Sequence, residues 1–304
     1  MVKFWREFEF FEGKKEPCFT AILTTKGCRW RKCRMCSYWL ESKNISYGAL
    51  KGQVDLIFDK VDTKILKIFT SGSFFDEEEI PADLRKYIAE KAREIGLKKI
   101  IVESRPEFIS EDKLGDFKGL ELEVGIGLES ANDWVREICV NKGFSFSDFL
   151  SAAEKIKKMG FRVKCYLLLK PPFLSEMEAI LDTLESIERV AGISDVISIN
   201  LTNIQKGTLL EKLWERGLYR PPWLWSAVEI LKRAKEDVVL ICDPVAGGKI
   251  RGPHNCGRCD REFVSALKLF SATQDKSVLD LNCECRVLWE KYLEIEDLSR
   301  IPPF

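Results

Sequence analysis

Between residues 18 and 202 the chain repeats one rhythm: a short run rich in β-branched and apolar residues, then a longer amphipathic stretch. The runs occupy residues 18–25, 65–70, 99–103, 122–128, 162–169 and 196–202. Strands so widely spaced pair in parallel through right-handed crossovers rather than as hairpins. The intervening stretches carry helix signals. Pro81 suits a first turn, Leu84, Ile88, Ala92 and Ile95 make one apolar face, and Gly96 is a stop. Residues 146–159, closed by Gly160, and residues 175–190 give two more helices. Six βα units predict an α/β fold, a partial (βα)6 barrel of TIM type, with its chemistry at the carboxyl ends of the strands.

The first strand leads directly into such an end, TTKGCRWRKCRMCSYW, where Gly27 lets the chain turn and Cys28, Cys33 and Cys36 follow. A cube of four irons takes four ligands, so three thiolates leave one iron open. An open iron chelates a small molecule through its amino and carboxylate groups, the arrangement that splits S-adenosylmethionine (SAM) into a carbon radical. A structural zinc ion completed by a distant fourth ligand, or three unconnected thiols, would read the same by spacing.

Later strands end in polar clusters too. Thr70-Ser71-Gly72-Ser73 offers hydroxyls and carbonyls to a ligand ammonium, although Ser and Gly also make ordinary turns. Glu103-Ser104-Arg105-Pro106 places a carboxylate and a guanidinium at the next mouth, where they bind a ligand or simply pair with each other. Gly127-Leu128-Glu129-Ser130 adds a further carboxylate. Four consecutive strand ends of this kind argue for one shared site.

A second cysteine set, Cys256-x2-Cys259 and Cys283-x-Cys285, lies in the Gly/Cys-rich segment that follows a composition change near Lys235. Two close pairs about two dozen residues apart match a structural tetrathiolate zinc site, with an auxiliary iron–sulfur cluster as the rival. We therefore expect a barrel over residues 1–235 and a small Cys-rich, metal-binding unit over 236–304. His254, the chain's single histidine, adjoins this set; it could replace one thiolate, cap the knuckle turn or face a substrate, and the turn role is preferred. Trp223 and Trp225 read as core.

Lys and Arg total 48, as do Asp and Glu, so the chain carries no net charge and does not bind nucleic acid by bulk charge. A local patch remains open: Lys26, Arg29, Arg31, Lys32 and Arg34 flank the cysteine loop, and Lys249, Arg251, Arg258 and Arg261 follow in the C-terminal unit. The N-terminal MVKFWREFEFFEGKK interleaves charge with aromatics, and no run approaches the roughly 18 apolar residues of a membrane span. A cytoplasmic, reducing setting is expected, in which eleven cysteines favour metal ligation over disulfides. Cys18, Cys139, Cys165 and Cys242, outside the two sets, read as small core residues.

GCRWRKCRMCSY, ESRPEF, VGIGLESANDWVREICVNKGF and NIQKGTLLEKLWERGLYRPP resemble the Elp3-like branch of the radical SAM superfamily, over residues 18–222. Within it, SGSFFD, LLLKPPF, YRPPWLW and GPHNCGRCD resemble the archaeal family that completes archaeosine in tRNA. One departure is the four residues between Cys28 and Cys33, where the superfamily usually has three; the extra residue adds only about 3.5 Å of reach. The resemblance implies that Cys28, Cys33 and Cys36 hold a 4Fe–4S cluster capped by SAM. Met35 would then lie near the adenine, Ser71, Gly72 and Ser73 near the methionyl ammonium, Glu103 and Arg105 near methionyl or ribose groups, and Glu129 beside them. It implies a tRNA whose 7-deazaguanine carries a lysine adduct, a lysine-transferring archaeosine synthase subunit as partner, and an electron donor. Beyond the cluster it assigns no catalytic residue. The rivals are another Elp3-like modification of tRNA or protein, and a non-enzymatic zinc-binding RNA adaptor.

Overall fold

The structure, a computed structural model, describes residues 2–235 and 238–302. In chain order the elements are β1 (Lys3–Phe11), β2 (Lys14–Ile22), α1 (Tyr47–Lys60), β3 (Ile65–Phe69), α2 (Ala82–Glu94), β4 (Lys99–Glu103), α3 (Glu111–Gly115) and β5 (Glu121–Glu129). They continue as α4 (Phe146–Lys158), β6 (Arg162–Leu169), α5 (Glu176–Val190), β7 (Val196–Leu201), α6 (Leu209–Glu215), α7 (Leu224–Arg233), β8 (Val239–Asp243), α8 (Asp260–Thr273) and α9 (Arg286–Ser299). The strands hydrogen-bond in the order β1 to β8.

All six predicted strands form. Two more were not legible. The N-terminal segment is β1, antiparallel to β2 through the two-residue turn Glu12-Gly13, both at positive φ (50° and 77°), which suits the twist of paired strands. Beyond Lys235 the alternation runs one strand further, because β8 pairs in parallel with β7, Val196 opposite Val239. The boundary expected between 235 and 236 falls beside residues 236–237, which lie outside the described residues. Pro81 stands just before α2 rather than in its first turn, its ψ of 150° still extended.

The chain divides into two compact units. The first comprises Met1–Arg31, Tyr38–Gly127 and Ser147–Lys164. Its parallel ladders place Cys18 opposite Ile65, Ile65 opposite Lys99 and Lys99 opposite Glu121. Helix α2 buries Leu84, Ile88, Ala89 and Ala92, each large side chain contributing about 1.5–3 kcal/mol. Charge is also buried here, in a chain of pairs. Lys67 meets Glu7 and Glu9 at 2.8 and 2.6 Å, Lys164 meets Glu9 and Glu123 at 2.9 and 2.8 Å, and Lys99 meets Glu123 at 2.7 Å. Three lysines thus face three glutamates, the condition under which charge tolerates burial. Burial pushes the Glu9 carboxyl up, but Lys164 and Lys67 outweigh it and hold it far below the usual range.

The second unit comprises Lys32–Ser37, Leu128–Phe146 and Cys165–Phe304. Ser175 caps α5 in a reciprocal capping box with Glu178. Helix α9 is tied to the start of α5: Glu296 takes the Glu176 amide at 2.6 Å, and Asp297 takes the Ser175 hydroxyl at 2.8 Å. Buried Lys170, just beyond β6 and at a φ of 60°, sits between Glu176 and Glu296, at 2.9 Å from each.

Candidate active site and metal centre

The first unit holds the approach to the cysteine loop. Beyond β2, the Leu23 amide donates to the Phe69 carbonyl at 2.8 Å, carrying the chain alongside the end of β3. Gly27, at a φ of 71°, turns it, and a Cβ there would stand 2.5 Å from Ser42 Cβ. The Cys28 amide then donates to the Ser71 carbonyl at 3.2 Å. That carbonyl belongs to the Ser-Gly-Ser turn, whose Gly72 is obligatory because a Cβ would come within 2.5 Å of Cys28 N. Ser73 is buried. Its hydroxyl accepts the Arg105 amide at 3.1 Å, and the Phe74 amide donates to the Glu103 carbonyl at 2.8 Å. The ends of β3 and β4, and with them Ser71, Gly72, Ser73, Glu103 and Arg105, are therefore brought together. The Arg105 guanidinium donates to Glu107 at 2.6 Å and lies 5.3 Å from the centre of the Trp30 ring.

The second unit holds the rest of the loop. Cys33 and Cys36 pack with Met35 against Val140, Leu168, Ile204, Leu210 and Tyr219, so Met35 lies in an apolar cluster, 8% exposed. The segment is fixed through its backbone. The Arg34 amide donates to the Val140 carbonyl at 2.9 Å, Ser37 N to Gln205 Oε1 at 2.6 Å, and Leu210 N to the Arg34 carbonyl at 3.2 Å. Residues Val135–Val140 form a π-helix, a rare element whose displaced carbonyls are free for such contacts. Its Ile138 carbonyl accepts the Arg34 guanidinium at 2.9 Å, and Asn141, at a φ of 60°, donates to the Lys32 carbonyl at 3.0 Å. Glu129 ends β5 at a φ of 69° and pairs with Lys142 at 2.6 Å. Backbone strain of this kind gathers at binding sites.

Cys28, Cys33 and Cys36 form no disulfide and are half-buried, whereas Cys18, Cys139, Cys165 and Cys242 are buried and read correctly as core. Burial pushes the thiols of Cys18 and Cys139 up to about 12. Three thiolates are the ligand set that leaves one iron of a four-iron cube open.

Of the flanking cations, Arg29 pairs with Asp76 and Glu78 at 2.7 and 2.9 Å, Arg31 donates to the Cys28 and Lys26 carbonyls, and Arg34 is held as above. Much of the basic run therefore organises the loop itself. In the C-terminal segment Arg251 is likewise taken up by Glu211, and Arg258 faces Glu284 at 3.5 Å.

The four C-terminal cysteines converge, their sulfurs all within 4.8 Å of one another. Cys256–Cys259 and Cys259–Cys285 are 3.7 Å apart, and Cys256–Cys283 is 3.9 Å. Zn–S bonds of about 2.3 Å at the tetrahedral angle put neighbouring sulfurs about 3.8 Å apart. Thiolates bound to separate irons of a cube stand farther apart, so this set fits one tetrahedral ion. Cys259 and Cys285 immediately precede α8 and α9. Outer partners are in place: Trp225 Nε1 donates to Cys285 at 3.3 Å and Asn255 Nδ2 to Cys259 at 3.5 Å. Burial raises the Cys256 thiol, but the Cys259 and Arg258 amides overcome this and bring it to about 6. His254 stands outside the set, its Nδ1 2.8 Å from the Gly252 carbonyl, which is the turn role expected. Trp223 and Trp225 are core, as expected.

Sequence reading missed the π-helix, Gln205 and Glu79. The last, 1% exposed, hides in the acidic run Glu77-Glu78-Glu79, which looks solvated.

Residues 22–187 match the model of the radical SAM superfamily. Archaeosine synthase subunit beta of Methanosarcina acetivorans is 43% identical over 97% of this chain and 90% of its own length. Its namesake in Thermococcus kodakarensis is 42% identical over 96% of this chain and 97% of its own. Among solved structures, the queuine lyase from Clostridium spiroforme bound to SAM and queuine superposes with a TM-score of 0.53 at 21% identity, covering 67% of this chain and 83% of that one; this likeness is one of fold.

Proposed function

Because this chain belongs to the radical SAM superfamily and, within it, to the family of archaeosine synthase beta subunits, we propose that it is the radical-generating enzyme of archaeosine formation in tRNA. The relatives' name, a subunit, supports a partner subunit that acts on the same tRNA base. The proposed substrate is a 7-deazaguanine bearing a lysine adduct left by that partner. Removal of a hydrogen from the lysine Cδ and fission of its Cε–N bond would release the lysine carbons as an alkene, and the nitrogen left on the base, on gaining one electron from the external donor and a proton, would be the amidine. No acid–base group attacks an unactivated C–H bond, so the reaction calls for a radical.

Cys28, Cys33 and Cys36 would hold the cluster, which when bound and reduced by an external electron donor supplies the electron that splits the SAM sulfonium and yields a 5′-deoxyadenosyl radical. The remaining roles belong to the chain itself. The carbonyls of the Ser71-Gly72-Ser73 turn would receive the methionyl ammonium, and Glu103 and Arg105 the methionyl or ribose groups, with Met35 and Glu129 beside them. Ser73, whose hydroxyl is engaged by the Arg105 amide, would contribute through its backbone and by holding β4 in place. We further propose zinc at Cys256, Cys259, Cys283 and Cys285, supported by the sulfur spacing, and a division into a radical-bearing segment (1–235) and a zinc-bearing one (236–304). Among the described residues no helix is long and apolar enough to cross a membrane.

The observation that carries the reading is the convergence of the Ser-Gly-Ser turn on the Cys28 backbone, with no room for a side chain between them. Anaerobically reconstituted protein should be brown and release 5′-deoxyadenosine from SAM and dithionite. With tRNA carrying the lysine adduct it should form archaeosine. Deoxyadenosine without archaeosine would retain the radical chemistry and overturn the substrate; iron bound without SAM cleavage would overturn both.

A further inference from the structure

Within the run Glu77-Glu78-Glu79 the first two side chains are 55% and 56% exposed, as an acidic stretch should be. Glu79 is turned inward by a tight turn in which the Asp76 carbonyl accepts the amides of Glu79 and Ile80, each at 2.9 Å. Its two oxygens go to two different segments. Oε2 accepts the Thr25 hydroxyl at 2.6 Å, and Thr25 Oγ1 in turn accepts the Gly27 amide at 3.1 Å, one residue before Cys28. Oε1 accepts the Ser73 amide at 2.5 Å, in the Ser-Gly-Ser turn. A Cβ on Gly72 would overlap that same oxygen, so the carboxylate lies directly behind the turn. Burial raises the Glu79 carboxyl above its usual range, against the Thr25 hydroxyl and the Ser73 amide. A buried acceptor stripped of its donors is costly, so the carboxylate holds both segments or neither.

We propose that Glu79 is a positioning residue that ties the strand leading to Cys28 to the turn assigned to the methionine end of SAM, keeping thiolate and cofactor in one geometry. This rests on the radical SAM reading above. Glu79 touches neither cluster nor SAM in this role; it acts through Thr25 on one side and Ser73 on the other.

The test combines Glu79→Gln, Thr25→Val, Thr25→Ser, the double Glu79→Gln/Thr25→Val and, as a surface control, Glu77→Gln. Two quantities are read: KM and kcat for SAM cleavage by the reconstituted enzyme, and the iodoacetamide alkylation rate of Cys28 relative to Cys33 in the metal-free full chain, by mass spectrometry. Glu79→Gln should raise the KM for SAM about tenfold, the size of one charge-assisted hydrogen bond, while kcat falls less than about threefold. The Cys28 alkylation ratio should rise several-fold. Thr25→Val should act in the same direction, Thr25→Ser should restore the parental values, and the double variant should be no worse than Glu79→Gln. Parental values for Thr25→Val, independent and multiplying effects, or an equal response of Glu77→Gln would each overturn the proposal. Should Glu79→Gln fail to fold, the Thr25 pair decides alone. Should no form cleave SAM, the functional reading fails, and the Cys28 ratio still judges the strut.

Discussion

The two cysteine sites solve opposite problems. The C-terminal four sit within 4.8 Å of one another, two at the starts of helices, with indole and amide donors already on their sulfurs. Four ligands close the coordination of a tetrahedral ion, so such a site stabilises but leaves nothing free to react. The N-terminal three stand half-buried on a segment between β2 and α1, away from any α-helix start. Three ligands leave a coordination position open, and an open position needs access. A closed site is set by sulfur spacing; an open one is set by whatever steadies the loop around it.

The comparison can be broken at either end. Replacing Cys28, Cys33 and Cys36 together by alanine should take SAM cleavage below detection, while zinc stays near one per chain and Tm shifts by no more than about 2 °C, since half-exposed loop thiols contribute little to stability. A large drop in Tm would show that the open site is structural as well. Cys285→Ala should do the reverse: zinc falls away and Tm drops by on the order of 10 °C, with iron retained. Iron near eight per chain and no zinc in the parent protein would instead make the second site a cluster.

A smaller effect joins the second site to the interior. Lys170 lies between Glu176 and Glu296, and Glu296 belongs to α9, whose first residue follows Cys285. Lys170→Met should cost about 3–5 kcal/mol in denaturant unfolding by stranding two buried carboxylates, and should speed zinc loss to a chelator. An unchanged rate of zinc loss would show that the metal, not the ion pairs, holds α9.

The smallest effect concerns the polar end of β5, where Ser130 Oγ donates to Asp182 at 2.8 Å. Burial pushes the Asp182 carboxyl up to about 6 despite that bond. A carboxyl that binds its proton more tightly when folded stabilises the fold at low pH, and this contribution is lost as pH rises from about 4 through 6. Asp182→Asn should therefore be more stable than the parent by about 1–2 kcal/mol at pH 8 and equal to it near pH 4. An equal difference at both values would remove titration as the cause.

Much of this was legible in advance. The βα period, the cysteine spacings and the polar strand ends are local patterns, and the βα period formed the six strands it predicts. β1 was hidden because its inward residues, Glu7 and Glu9, are charged; they read as surface until Lys67 and Lys164 are seen to meet them. Glu79 was hidden for the same reason, as one buried carboxylate in a run of three. The π-helix has no local signature, since its extra residue is accommodated by contacts with the cysteine segment.

Sequence by itself determined the class of fold, the two thiol sets and the family, because hydrophobic period and ligand spacing are properties of neighbours along the chain. Tertiary structure alone decided which charges go inside, which carboxylate of the acidic run turns inward, and that the last four sulfurs come within 4.8 Å of one another. Those outcomes depend on partners as far as 155 residues away, as Glu9 and Lys164 are, and a buried charge is stable only where its partner is brought to it.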